Sequence, residues 1–147
     1  MSEFRVIAPD LRVSIPIMSK NTIIEGDSGT GKTLMINKLH AIKNSKMLRS
    51  DTKSTVDFDD VIIVRNKYET GLVDMKNTKH KLILLDKADT YLDKHWVDFI
   101  NKSKNTFIIM TRGSGAAKNI MTTQNSCLVV QSETKDGITN IKAKISI

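Results

Sequence analysis

A single cysteine, Cys127, stands among 147 residues, which excludes an internal disulfide and fits a reducing, cytoplasmic setting. It falls in the apolar run Cys127-Leu128-Val129-Val130, where a buried structural thiol is expected. Only two prolines occur, Pro9 and Pro16, both near the start. Internal repeats and low-complexity tracts are absent. No apolar run approaches the roughly 20 residues that span a bilayer. The opening Met1-Ser2-Glu3-Phe4-Arg5 lacks the basic-then-apolar order of a secretion signal, so neither membrane nor export is expected. The three histidines, His40, His80 and His95, have no metal-ligand spacing and read as ordinary surface or interface residues.

What is present describes one globular domain over residues 1–147. The composition is 39% apolar and 27% charged, and the length suffices for one core but not two. The net charge is +7, and eighteen of the 23 basic residues are lysines dispersed along the chain. Such a surface permits nucleic-acid binding without indicating it.

The strongest signal is Gly26-Asp27-Ser28-Gly29-Thr30-Gly31-Lys32-Thr33, a full match to G-x-x-x-x-G-K-[ST]. Glycines let the chain turn so that successive N–H groups point at a phosphate chain on a helix N-terminus. Lys32 would reach the β- and γ-phosphates and the Thr33 hydroxyl would ligate Mg²⁺. Leu34 closes the predicted nucleotide-binding segment. The required context is legible: Asn21-Thr22-Ile23-Ile24-Glu25 reads as a strand, and Met35, Leu39 and Ile42 share one face of a following helix.

The remaining elements read in order. Strand-like pieces at 4–8 and 11–17 flank a Pro9-Asp10 turn, and 44–60 reads as a polar loop. Val61-Ile62-Ile63-Val64 and Leu82-Ile83-Leu84-Leu85 are continuous apolar runs, the mark of strands covered on both faces. A helix is expected over 66–78, and another over 90–102 with Asp89 as N-cap. Residues 106–111 form a further buried strand, and Asp136-Gly137 turns a terminal hairpin. Strands alternating with helices predict an α/β fold with a mostly parallel sheet, to whose edge the hairpin adds antiparallel strands.

Asp86, at the end of Leu82-Ile83-Leu84-Leu85, fits the Walker B pattern, in which a carboxylate holds Mg²⁺. With both motifs, the chain resembles the P-loop NTPases, and within them the branch containing the AAA+ ATPases. That resemblance implies a three-layer fold, ATP and Mg²⁺ as ligands, and a sensor role for Thr111, the polar residue ending the next strand. It also exposes departures. The residue after Asp86 is Lys87, where AAA+ ATPases carry a catalytic Glu, and a charged lysine cannot accept a proton from water. Asp89 is the nearest substitute base, or else only a helix cap. Arg112 either touches the γ-phosphate or is a surface residue of the Gly-rich loop. A helical lid is not expected within these residues. GTP is disfavoured because Asp86-Lys87-Ala88-Asp89 lacks the Asp-x-x-Gly glycine, and Asn66-Lys67-Tyr68-Glu69 lies before Walker B and ends in Glu. The expected function is an ATP·Mg²⁺-binding domain, a slow or partner-dependent ATPase working with another chain or a second copy. A non-hydrolysing nucleotide-gated module and a small kinase are the alternatives.

Overall fold

Alternating apolar and polar residues give a strand one dry and one wet face, whereas unbroken apolar runs have no face for water. Both kinds occur in the computed structural model, which describes residues 2–26, 31–69, 71–113, 119–120 and 124–145, with backbone alone at 73 and 74. The alternating pieces β1 (Glu3–Ile7) and β2 (Leu11–Pro16) pair antiparallel. Their turn at Pro9-Asp10 is closed by the Ala8 N–H donating to the Leu11 carbonyl at 2.9 Å. Next come β3 (Asn21–Glu25), α1 (Lys32–Lys43), α2 (Lys46–Ser50), the two-residue β4 (Lys53–Ser54) and β5 (Val61–Val64). Then follow α3 (Leu72–Met75), β6 (Leu82–Leu85), α4 (Lys94–Lys102), β7 (Thr106–Thr111), β8 (Asn125–Lys135) and β9 (Ile138–Ile145). No helix among the described residues is long and apolar enough to cross a membrane.

All nine strands join one sheet in the order β4-β1-β2-β9-β8-β3-β7-β6-β5. This corrects the expected three-layer α/β fold with a mostly parallel sheet. The sheet is mixed and bent into a half-barrel, strands dominate, and three of its eight pairings are antiparallel. The terminal hairpin is not an added edge either. β9 accepts β2 in parallel register, Leu11 beside Thr139 and Val13 beside Ile141. The physical reason lies in the dry face of the N-terminal hairpin. Phe4, Val6, Leu11, Val13 and Ile15 need a cover, and they share α1 residues Met35, Ile36 and Leu39 with Ile141 and Ala143. On the opposite face, α3 and α4 cover only β3, β7, β6 and β5 through Met75, Trp96 and Ile100. Helices therefore flank both faces over less than the whole sheet.

Several local expectations also change. The stretch 44–60 holds α2, capped by the Ser45 hydroxyl accepting from the Leu48 N–H, as well as β4 and a 3-10 turn at Phe58–Asp60. The helix expected over 66–78 reduces to α3, a single turn after Gly71. α4 starts later than expected, and its N-cap is Asp93, whose carboxylate accepts from the His95 and Trp96 N–H groups at 3.0 Å each. Cys127 is exposed, not buried as its apolar run suggested. The Asp136-Gly137 turn forms as expected, both residues at positive φ (53° and 78°).

The amino ends of β6 and β7 are tied together by one buried side chain. The Asn105 amide nitrogen donates to the Thr78 carbonyl (3.1 Å) and the Ser103 hydroxyl (2.7 Å), and its oxygen accepts from the Lys81 N–H (2.9 Å). Asn105→Ala should cost about 1–3 kcal/mol, since buried backbone groups are left unpaired. The check is a lower urea midpoint with an unchanged m-value.

Candidate phosphate-loop site

Because β3, β6 and β7 run parallel, their carboxyl ends lie on one edge, with Glu25 beside Thr111 and Leu85 beside Ile109. The chain leaves β3 through Gly26, whose N–H donates to the Thr111 carbonyl at 3.2 Å. Asp27, Ser28, Gly29 and Thr30 lie outside the described residues. At Gly31 the backbone is left-handed (φ 92°), and a Cβ there would meet the Ser132 Cβ at 2.7 Å. Glycine is thus required twice, for conformation and for the close approach of β8. The Gly31 carbonyl accepts the first helical bond, from the Met35 N–H at 2.9 Å.

Lys32 opens α1 and is 7% exposed, with its ammonium donating to the Gly26 carbonyl at 2.5 Å. Thr33 and Leu34 are exposed on the same first turn. Asp86 follows β6, is 3% exposed, and accepts from the Lys87 N–H at 2.9 Å. Burial pushes its carboxyl up from the ordinary value. The Lys87 N–H and the charges of Lys87 and Lys32 oppose that shift, and the Asp89 carboxylate adds to it. Lys32, Asp86, Lys87 and Asp89 therefore share one electrostatic neighbourhood, although the first two are far apart in sequence. Lys87 adopts the left-handed conformation (φ 53°), unusual without glycine, and sends the chain into the 3-10 turn Ala88–Thr90.

That turn brings two further candidates together. Arg112 Nε lies 3.4 Å from Asp89 Oδ2. Asp89 Oδ1 is buried with no hydrogen-bond partner, and so is the hydroxyl of Thr111, a residue 1% exposed. Asp89 is not the helix cap that its position suggested, since Asp93 fills that role. Tyr91, which sequence reasoning missed, donates its hydroxyl to the Asp86 carbonyl at 2.8 Å. Burial and the carboxylates of Asp86 and Asp89 raise its phenol, so it stays neutral and donating. Ser132, over Gly31, was missed as well. Nothing in its local sequence marks either residue.

The residues fit a Mg²⁺–triphosphate ligand. No group of three His, Cys, Asp or Glu side chains among the described residues could hold a metal ion. Mg²⁺ needs none, because it keeps several waters and binds one or two carboxylates together with substrate phosphates. Asp86 and Thr33 would supply the protein ligands, Lys32 the cation for the phosphates, and the unpartnered Asp89 and Thr111 oxygens remain for water or phosphate. No family model matches this chain, and no curated protein matches it.

The raised carboxyl of Asp86 has a consequence for stability. A group that binds its proton more tightly when folded loses stability as pH rises from its ordinary value of 3.8 through the folded value. Asp86→Asn keeps the acceptor for the Lys87 N–H and removes the buried charge. The ligand-free variant should therefore unfold at higher denaturant than wild type at pH 7, and the gap should close below pH 3.8. Parallel denaturation curves across this range are the check.

Proposed function

We propose that residues 26–34, with Asp86, bind a Mg²⁺–nucleoside triphosphate, and that the chain is a slow or partner-dependent ATPase. The observation that carries this reading is the shared electrostatic neighbourhood of Lys32 and Asp86 at the carboxyl edge of the parallel strands β3, β6 and β7. ATP is favoured over GTP because the guanine-reading motifs are missing from the sequence.

On this reading Lys32 holds the β- and γ-phosphates and Thr33 with Asp86 holds the metal. Magnesium supplies charge neutralisation of the phosphates when bound. Asp89 is the base that takes a proton from the attacking water, Arg112 reaches the γ-phosphate, and Thr111 orients water. The second reading, a nucleotide-gated module that does not hydrolyse, is favoured by Lys87 standing where a catalytic Glu is expected. In either case the effector is another protein chain or a second copy of this one. The kinase alternative would draw its acceptor site from residues 113–115, of which only Gly113 is described. Single-turnover incubation with radiolabelled ATP separates the three readings. Phosphate release supports the ATPase, intact ATP the gated module, and transfer to an added acceptor the kinase.

Lys32→Ala should weaken ATP·Mg²⁺ binding by calorimetry about tenfold to a hundredfold, since each charge-assisted contact contributes roughly 1.5–3 kcal/mol. An unchanged affinity would remove the phosphate site. For hydrolysis, Asp89→Asn should lower the single-turnover rate about 10²–10⁴-fold with ATP affinity retained. Because Asp93 caps α4, this change leaves the helix intact, and an unaltered rate would eliminate Asp89 as base.

A further inference from the structure

At the amino ends of β6 and β7, opposite the phosphate loop, a groove of about 680 Å³ opens between α4 and the segment 76–79. One wall is the α4 face carrying His95, Phe99 and Lys102, at i, i+4 and i+7, a run of about 10 Å. Its floor is aromatic and fixed. Phe99 sits edge-on to Trp96 (centroids 6.3 Å apart) and to Phe107 (5.9 Å), which holds its ring in one orientation. The two walls are tied by the Asn105 amide and by the His80 N–H donating to the Lys104 carbonyl at 3.1 Å. The groove is therefore preformed.

Its charge is net positive. Asp93 is engaged as the α4 cap, and Asp98 pairs with Lys102 at 3.0 Å. Lys76, Lys79 and Lys104 also line the groove and are exposed, and no carboxylate among the described side chains pairs with any of them. Three ammonium groups without a carboxylate partner among the described side chains, around an aromatic floor, match a ligand with a phosphate backbone and flat rings. An extended acidic peptide that adds to a strand edge finds none in this groove. Here the walls are a helix and a tight turn whose Lys81 and His80 N–H groups are already used.

We propose that this groove binds single-stranded nucleic acid, with phosphates on Lys76, Lys79 and Lys104 and a base against Phe99. Stacking on a fixed ring tolerates any base, so binding is sequence-tolerant and salt-dependent. The site is separate from the phosphate loop and does not rest on nucleotide binding there.

The test is fluorescence anisotropy of labelled oligothymidylate and oligouridylate of about 12 nucleotides, at about 50 and 200 mM salt, with ATP·Mg²⁺ in excess. K79E/K104E should weaken binding at least about tenfold and reduce the slope of log K against log salt by about 1.4, for two lost phosphate contacts. Phe99→Leu should weaken binding with the salt slope unchanged, the signature of a lost stack. K46E, a reversal on α2 away from the groove, and Lys32→Ala should both leave affinity within about twofold, as charge removed elsewhere costs no phosphate contact. Thermal unfolding of K79E/K104E verifies that the fold survives. A preference between the two oligomers decides DNA or RNA without affecting the proposal. Absence of binding at the lower salt, equal loss in K46E, or equal competition by oligoglutamate would overturn it.

Discussion

Strand β3 is buried on both faces, and the rest of the molecule depends on that. Ile24 joins the core under α1, and Ile23 joins the separate core under α4. The strand pairs with β7 on one side and β8 on the other, so it is the seam between the two parts of the sheet. Its register has a polar key. Asn21 lies opposite Asn125, and the Asn21 amide donates to the Asn125 oxygen at 3.0 Å. A one-residue slip would break this bond and exchange the two cores. The direction in which β3 exits then fixes where Gly26 and the phosphate loop emerge.

The two faces of the sheet are treated differently, and chemistry follows the difference. Toward α1 the apolar surface is continuous from β1 to β5. On the other face, no helix among the described residues covers β1, β2, β9 and β8. Arg5, Ser14 and Lys142 stand in register across three of those strands. Antiparallel strands tolerate water on one face, whereas all-apolar parallel ones do not. The uncovered part holds the antiparallel pairings together with the parallel β2–β9 pair, whose strands alternate and so need only one dry face.

Doubly buried strands were legible in the sequence, and long-range pairing was not. Continuous runs such as Leu82–Leu85 declare burial on both faces wherever they pair. The glycine at position 31 is likewise required by its left-handed backbone and the nearby Ser132 Cβ. By contrast, Thr139, Ile141 and Ala143 alternate in the same way on an edge strand as in an inner one. Nothing local announces that β9 would take β2 as a parallel neighbour, a pairing that closes a loop of nearly the whole chain. Asp89 and Asp93 both precede the same helical pattern, and the choice between them follows from the turn that Lys87 makes. Left-handed lysine has no sequence signature.

The corner formed by Lys87, Asp89 and Thr111 is costly to stability in three ways. A non-glycine residue held left-handed costs roughly 1–2 kcal/mol. A carboxylate, Asp86, is kept where burial opposes its charge, and two buried oxygens, Asp89 Oδ1 and Thr111 Oγ1, lack partners. Orphans also occur on β3, at Asn21 and Thr22, so unpaired atoms alone do not define a site. What distinguishes this corner is that the costs are electrostatically linked. A lysine after Asp86 adds a second cation to Lys32, which favours holding an anion over activating water. Asp89, tethered to Arg112, offers a carboxylate for the latter. An anion that drew Arg112 away would free that carboxylate as it bound, so on the proposed function occupancy and turnover are coupled through a single ion pair.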